Sequence, residues 1–131
     1  MNKKRVNDWL LPAKEALKVA EISQNGKIDK TYRGQISSFG AAVVMGSLPA
    51  AVAFFSEKGG SSVERQKLIK AMCLVIANER KDMPKDEKKA LEYVCKNNSN
   101  ALKEQFTDAS IALKLAMNFY DLVGGDSGEK S

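Results

Sequence analysis

An all-α fold, a single bundle of about six helices, is what this 131-residue chain predicts, on three observations. Apolar residues recur at spacings of three and four, the period of a helix face, through most of the chain. Glycine, proline and asparagine breaks cut that pattern into helix-sized segments joined by short loops, the connectivity of a bundle rather than of separate domains. The composition is 44% apolar, and a chain of this size buries about two-thirds of the surface it exposes when unfolded, enough for one core. The bundle is expected over residues 1–123. Residues 124–131 contain only glycine, serine and charged side chains and are expected to form a disordered tail.

The first predicted helix carries Val6, Leu10, Ala13, Leu17 and Ala20 on one face, begins behind Asn7 or Asp8 and holds Pro12 in its first turn. Asn25-Gly26 is its expected stop. The second starts after Asp29 or Thr31, aligns Tyr32, Ile36, Phe39 and Val43, and is interrupted at Gly46-Ser47. Pro49 suits the first turn of a short third helix reaching Phe55, with Phe54 expected in the core. Gly59-Gly60 reads as a joint, and Ser61 with Glu64 has capping-box spacing ahead of a fourth helix that runs to about Arg80. Its Ala71–Ala77 run is apolar on every face, so neighbours must enclose it. Pro84 opens a fifth helix that stacks Leu91, Val94 and Cys95, and Asn97-Asn98-Ser99 ends it. The last helix aligns Leu102, Phe106, Ala109, Leu113, Ala116 and Tyr120. Almost no strand is expected.

Composition removes whole reaction classes. The chain has no histidine, so Ser-His-Asp and Cys-His nucleophilic pairs, imidazole proton shuttles and histidine-ligated metals are all excluded. Its two cysteines, Cys73 and Cys95, are too few for a four-thiolate zinc site or a disulfide framework. Both read as small packed hydrophobes, and a reduced pair fits a cytoplasmic setting. Asp82, Asp86 and Glu87 form a tight acidic cluster, but they surround a helix start, where carboxylates meet the positive end of the helix dipole. The tail Gly124–Ser131 echoes a phosphate loop yet lacks glycine before Lys130 and any helix after Ser131. Gly34–Ser56 holds no charge over 23 residues, long enough for a membrane span. Its four serines, three glycines, Gln35 and Pro49 argue instead for two buried helices meeting at a break.

What remains is charge. Twenty-one basic against sixteen acidic residues leave a net +5, a balance that favours a polyanion partner. The first 33 residues hold eight basic and four acidic side chains, including the uninterrupted Lys3-Lys4-Arg5. In the fourth helix Lys67 and Lys70 are i,i+3 neighbours opposite Leu68, Met72 and Val75, with Arg65 to one side. Such spacings suit phosphate contact, which needs charge and reach but no catalytic geometry. Lys85, Lys88, Lys89 and Lys96 are largely balanced by acids and read as a solvated face. Of the nine aromatics, Trp9 and Tyr32, near helix starts and beside basic residues, are the candidates for stacking on bases. Phe39, Phe54, Phe106 and Phe119 lie at core spacing.

The pattern Tyr32-Arg33, Ile36, Phe39-Gly40, Val43-Val44, Gly46-Ser47-Leu48-Pro49 and Ala53-Phe54-Phe55, followed by Lys58-Gly59, resembles the small α-helical subunit of type III-B (Cmr) CRISPR–Cas effector complexes. The chain length, basic first helix, apolar fourth helix and long Ala/Leu C-terminal helix extend the resemblance over most of residues 1–123. Ser47 in the corner, Pro49 after it and the early Pro12 are local departures. The resemblance implies a non-catalytic role; a cytoplasmic subunit without cofactors is expected. Such subunits lie in several copies along the guide RNA–target RNA path, contact RNA backbone through basic residues, and bind one another and neighbouring subunits. Target cleavage and nucleotide cyclisation are assigned to other subunits of such complexes. No family motif fixes the RNA contacts, so Lys3, Lys4, Arg5, Arg33, Arg65, Lys67 and Lys70 are candidates on charge placement alone. A small basic DNA-binding or nucleoid-type protein and a protein-only helical adaptor are the alternative readings; an enzyme ranks below both.

Overall fold

In the computed structural model, which describes residues 1–57 and 64–124, seven α-helices are found among the described residues: α1 (Lys3–Asp8), α2 (Leu10–Val19), α3 (Thr31–Met45), α4 (Leu48–Ser56), α5 (Gln66–Ile76), α6 (Glu87–Lys96) and α7 (Asn100–Ala116). The all-α class holds. The seventh is α1, which lies ahead of the helix start expected behind Asn7 or Asp8, while α2 is the expected first helix with Pro12 in its first turn. Pro12 has no N–H to donate to the Asp8 carbonyl, so the ladder breaks at Trp9 and resumes where the Ala13 amide donates to the Trp9 carbonyl at 2.8 Å.

The end of α2 differs from expectation. It closes on a Schellman arrangement: the Glu21 amide donates to Lys18 and the Ile22 amide to Leu17, with Glu21 in the left-handed region at φ 64°. Asn25-Gly26 therefore stops no helix. At φ 55° and 77° these residues form the tight turn between two short antiparallel strands, β1 (Ser23–Gln24) and β2 (Lys27–Asp29). Both central residues need positive φ in such a turn, which Asn-Gly supplies. A third strand, β3 (Asp121–Val123), adds to β2 in parallel with Ile28 opposite Leu122.

Side-chain caps start four of the helices. The oxygen of Asn2 accepts the Arg5 amide, Ser47 accepts Ala50, Asp86 accepts Lys88 and Ser99 accepts Leu102. Helix α6 thus begins at Glu87 behind its Asp86 cap, three residues beyond the expected Pro84 start. Helix α5 ends at Ile76 rather than near Arg80. Helix α7 gives way to a 3₁₀ turn at Met117–Phe119, which removes Tyr120 from the helical face assigned to it.

The central helix is α7. It packs on α1, α2, α3 and α5, and Leu102, Phe106, Ala109, Ala112, Leu113 and Ala116 are all buried. Phe39 of α3 meets Phe55 edge-on at 5.2 Å between centroids and Phe106 at 6.1 Å. Helix α5 is enclosed as its sequence requires. Three side chains depart from expectation. Helix α4 turns Leu48, Ala51, Val52 and Phe55 inward, so Phe54 falls outside that face and is 51% exposed. Helix α6 turns Ala90 and Val94 inward, leaving Cys95 exposed. Phe119, on the 3₁₀ turn, is 50% exposed. The Gly59-Gly60 joint, the Ser61 cap and the tail beyond Gly124 lie outside the described residues.

Candidate nucleic-acid interface

The basic triplet at the N-terminus divides. Lys3 is exposed. Lys4 pairs with Asp8 one helical turn on, at 2.8 Å, both in solvent, and that hydrogen bond and charge raise the lysine pKa. Such a pair is easily exchanged for another anion. Arg5 is differently employed. Its Nη1 donates to Oδ2 of Asp108 at 2.8 Å and its Nε lies 3.1 Å from Glu79. Burial disfavours the guanidinium charge, but the two carboxylates outweigh it, and its pKa is raised. From there a polar chain crosses the bundle end. Gln105 donates to Glu79, Arg80 donates to Gln105 and to the Tyr93 hydroxyl, and Tyr93 donates to Asp82. Asp82 is thereby a partner of Tyr93, and among the described residues no group of three acidic or thiol side chains could hold a metal ion.

The α5 residues gather beside the C-terminal end of α2. Lys67 donates to the Glu21 carbonyl at 3.4 Å and lies 3.9 Å from Glu64. Lys67 and Lys70 line an open cleft of about 540 Å³ with Lys88, Glu21, Glu64 and Glu87. Three lysines face three glutamates there, so the cleft walls carry no net charge. The Arg65 guanidinium lies over Phe54, 4.6 Å from its ring centroid, and 5.9 Å from that of Phe55.

Arg33, at the start of α3, reaches across to the 3₁₀ turn, where Nη1 donates to Oδ1 of Asn118 at 3.2 Å. The structure thus joins Arg65, Lys67 and Lys70 on one short stretch, carries Lys3 and Lys4 on α1, and ties Arg33 to the 3₁₀ turn. Trp9 and Tyr32 are both 5% exposed, so neither offers a ring face to a base; this corrects the stacking assignment. Trp9 is buried beneath the Arg5 guanidinium, 5.5 Å away, and burial pushes the Tyr32 phenol pKa up. Sequence reasoning missed Lys14, whose Nζ lies 5.0 Å from the Phe119 ring centroid. Its place among the basic residues of the first 33 was the available signal.

No helix among the described residues is long and apolar enough to cross a membrane. Fold and surface together define a small, basic, helical domain whose charged groups are spread over its exterior rather than converging in one deep site. Residues 12–114 match the model of a family described as CRISPR-associated protein (Cas_Cmr5). The chain belongs to this family, that of a small Cmr (type III-B) CRISPR-associated subunit. No curated protein and no solved structure gives a significant match. Arg33, Arg65, Lys67 and Lys70 fall inside the matched stretch; Lys3, Lys4 and Arg5 precede it.

Proposed function

We propose that this chain is a non-catalytic subunit of a Cmr effector complex that holds guide and target RNA through phosphate contacts and binds neighbouring subunits and further copies of itself, in the cytoplasm. Membership of the Cmr family carries the reading. The net charge of +5 and the absence of histidine from the sequence support it, since phosphate binding asks for mobile positive groups and not for an aligned acid–base set. Lys3, Lys4, Arg33, Arg65, Lys67 and Lys70 are the proposed contacts. Arg5 contributes indirectly, by fixing the helix that carries Lys3 and Lys4.

A free subunit offers few simultaneous contacts, so tight binding arises when copies align on one RNA. The test is to isolate the complex from its native host, identify its proteins and RNA by mass spectrometry and sequencing, and crosslink the RNA in place. Peptides of this chain crosslinked to guide or target RNA are expected. A chain that assembles with Cmr proteins but never crosslinks would be an adaptor, and one that recovers DNA would be a DNA-binding protein.

A further inference from the structure

The 3₁₀ turn at Met117–Phe119 presents an aromatic ring beside Lys14, with Arg33 hydrogen-bonded to the residue before it. Phe119 is 50% exposed. Lys14 approaches its ring to 5.0 Å from α2, and Arg33 approaches its neighbour Asn118 from α3. The platform is braced on two sides. The Tyr120 hydroxyl donates to the Lys14 carbonyl at 2.7 Å, and β3, which begins at Asp121, is hydrogen-bonded into the sheet. Among the described residues, no carboxylate forms an ion pair with Lys14 or Arg33. Lys18, one turn beyond Lys14 on α2, is also exposed.

From this arrangement we infer that Phe119, Lys14 and Arg33 form a binding site for an unpaired RNA nucleotide, its base stacked on Phe119 and its flanking phosphates held by Lys14 and Arg33. The chemistry matches what single strands offer: every base has a π-face, and the adjoining backbone carries a negative charge at each step. Asn118 adds a side-chain amide at the edge of the platform, able to donate and accept. The inference rests on the RNA reading above and adds a base-contacting site to it.

The experiment compares a single-stranded oligouridine with an abasic oligonucleotide of equal length, binding each to the full-length protein across a salt series. The native protein should prefer the base-containing strand. Phe119→Ala should lower affinity for oligouridine about 5- to 100-fold at fixed salt, abolish the preference, and leave the salt slope unchanged. Phe119→Trp should restore binding, which separates stacking from any folding defect. Lys14→Gln and Arg33→Gln should each flatten the slope by about 0.7. Equal binding of both strands with the salt dependence intact overturns the stacking site and leaves the RNA reading standing. Failure to bind either strand at any salt, alone or in the assembled complex, overturns both. Loss of a protein neighbour on Phe119→Ala, with RNA affinity unchanged, would make the ring a protein anchor and overturn the inference.

Discussion

Arg5 and Asp108 stand 103 residues apart in sequence and 2.8 Å apart in space. Asp108 is 1% exposed and Arg5 19%, so the pair sits where the bundle closes over its first helix. Asp108 also faces the Asn2 amide, at 3.3 Å. Removing one partner leaves the other charge buried without compensation. Arg5→Met is expected to lower stability by about 3 kcal/mol in urea melts. Adding Asp108→Asn to Arg5→Met should recover part of that loss, whereas additive losses would show that the two residues do not act as a pair.

Phe54 and Phe55 are adjacent but opposite in environment. Phe55→Ala should destabilise by roughly 3–5 kcal/mol, because its ring fills the contact with Phe39. Phe54→Ala should lose less than about 1 kcal/mol, the scale of one exposed cation–π contact with Arg65. Denaturant melts giving the reverse order would mean that α4 is rotated.

Burial pushes the Cys73 thiol up to about 12, with Glu87 and Asp86 adding to the effect. Almost none of it is thiolate below pH 10. Cys95 is exposed. Iodoacetamide at pH 8 should therefore label the native protein once, at Cys95, as read by peptide mass spectrometry, with Cys73 labelled only after denaturation. Labelling of Cys73 at the native-state rate of Cys95 would show that α5 is not enclosed.

Glu21 holds a left-handed backbone conformation at the end of α2, a site where glycine carries no Cβ penalty. Glu21→Gly is expected to raise stability by about 0.5 kcal/mol, and Gly26→Ala, at φ 77°, to lower it by about 1 kcal/mol. A destabilising Glu21→Gly would point to a role for its carboxylate in the cleft beside Lys67.

The helices were readable because their signal is local: Ile36, Phe39 and Val43 repeat at helical spacing, and Ser47 and Ser99 each cap the helix that begins one residue later. Asn25-Gly26 was ambiguous, since the same dipeptide that ends helices also makes hairpin turns, and its strands are too short to show alternation. β3 could not be seen at all. Its pairing with β2 depends on the whole bundle bringing residue 122 to residue 28. The pairing of Arg5 was hidden for the same reason. In a Lys-Lys-Arg run an arginine reads as solvated until a buried carboxylate 103 residues away is known. At Phe119 helical spacing pointed inward, but the chain had already tightened into a 3₁₀ turn at Met117.

If this subunit holds RNA by its backbone, RNA binding by the assembled Cmr complex must depend on salt through its basic side chains. The complex is prepared with the native chain and with Lys3, Lys4, Arg33, Arg65, Lys67 and Lys70 changed to glutamine, and the association constant is measured from low to high salt. Each phosphate-binding side chain neutralised should flatten the plot of log association constant against log salt by about 0.7–0.9, with affinity falling most at low salt. An intact complex whose affinity and slope are both unchanged by all six substitutions would mean that these side chains hold no RNA phosphate.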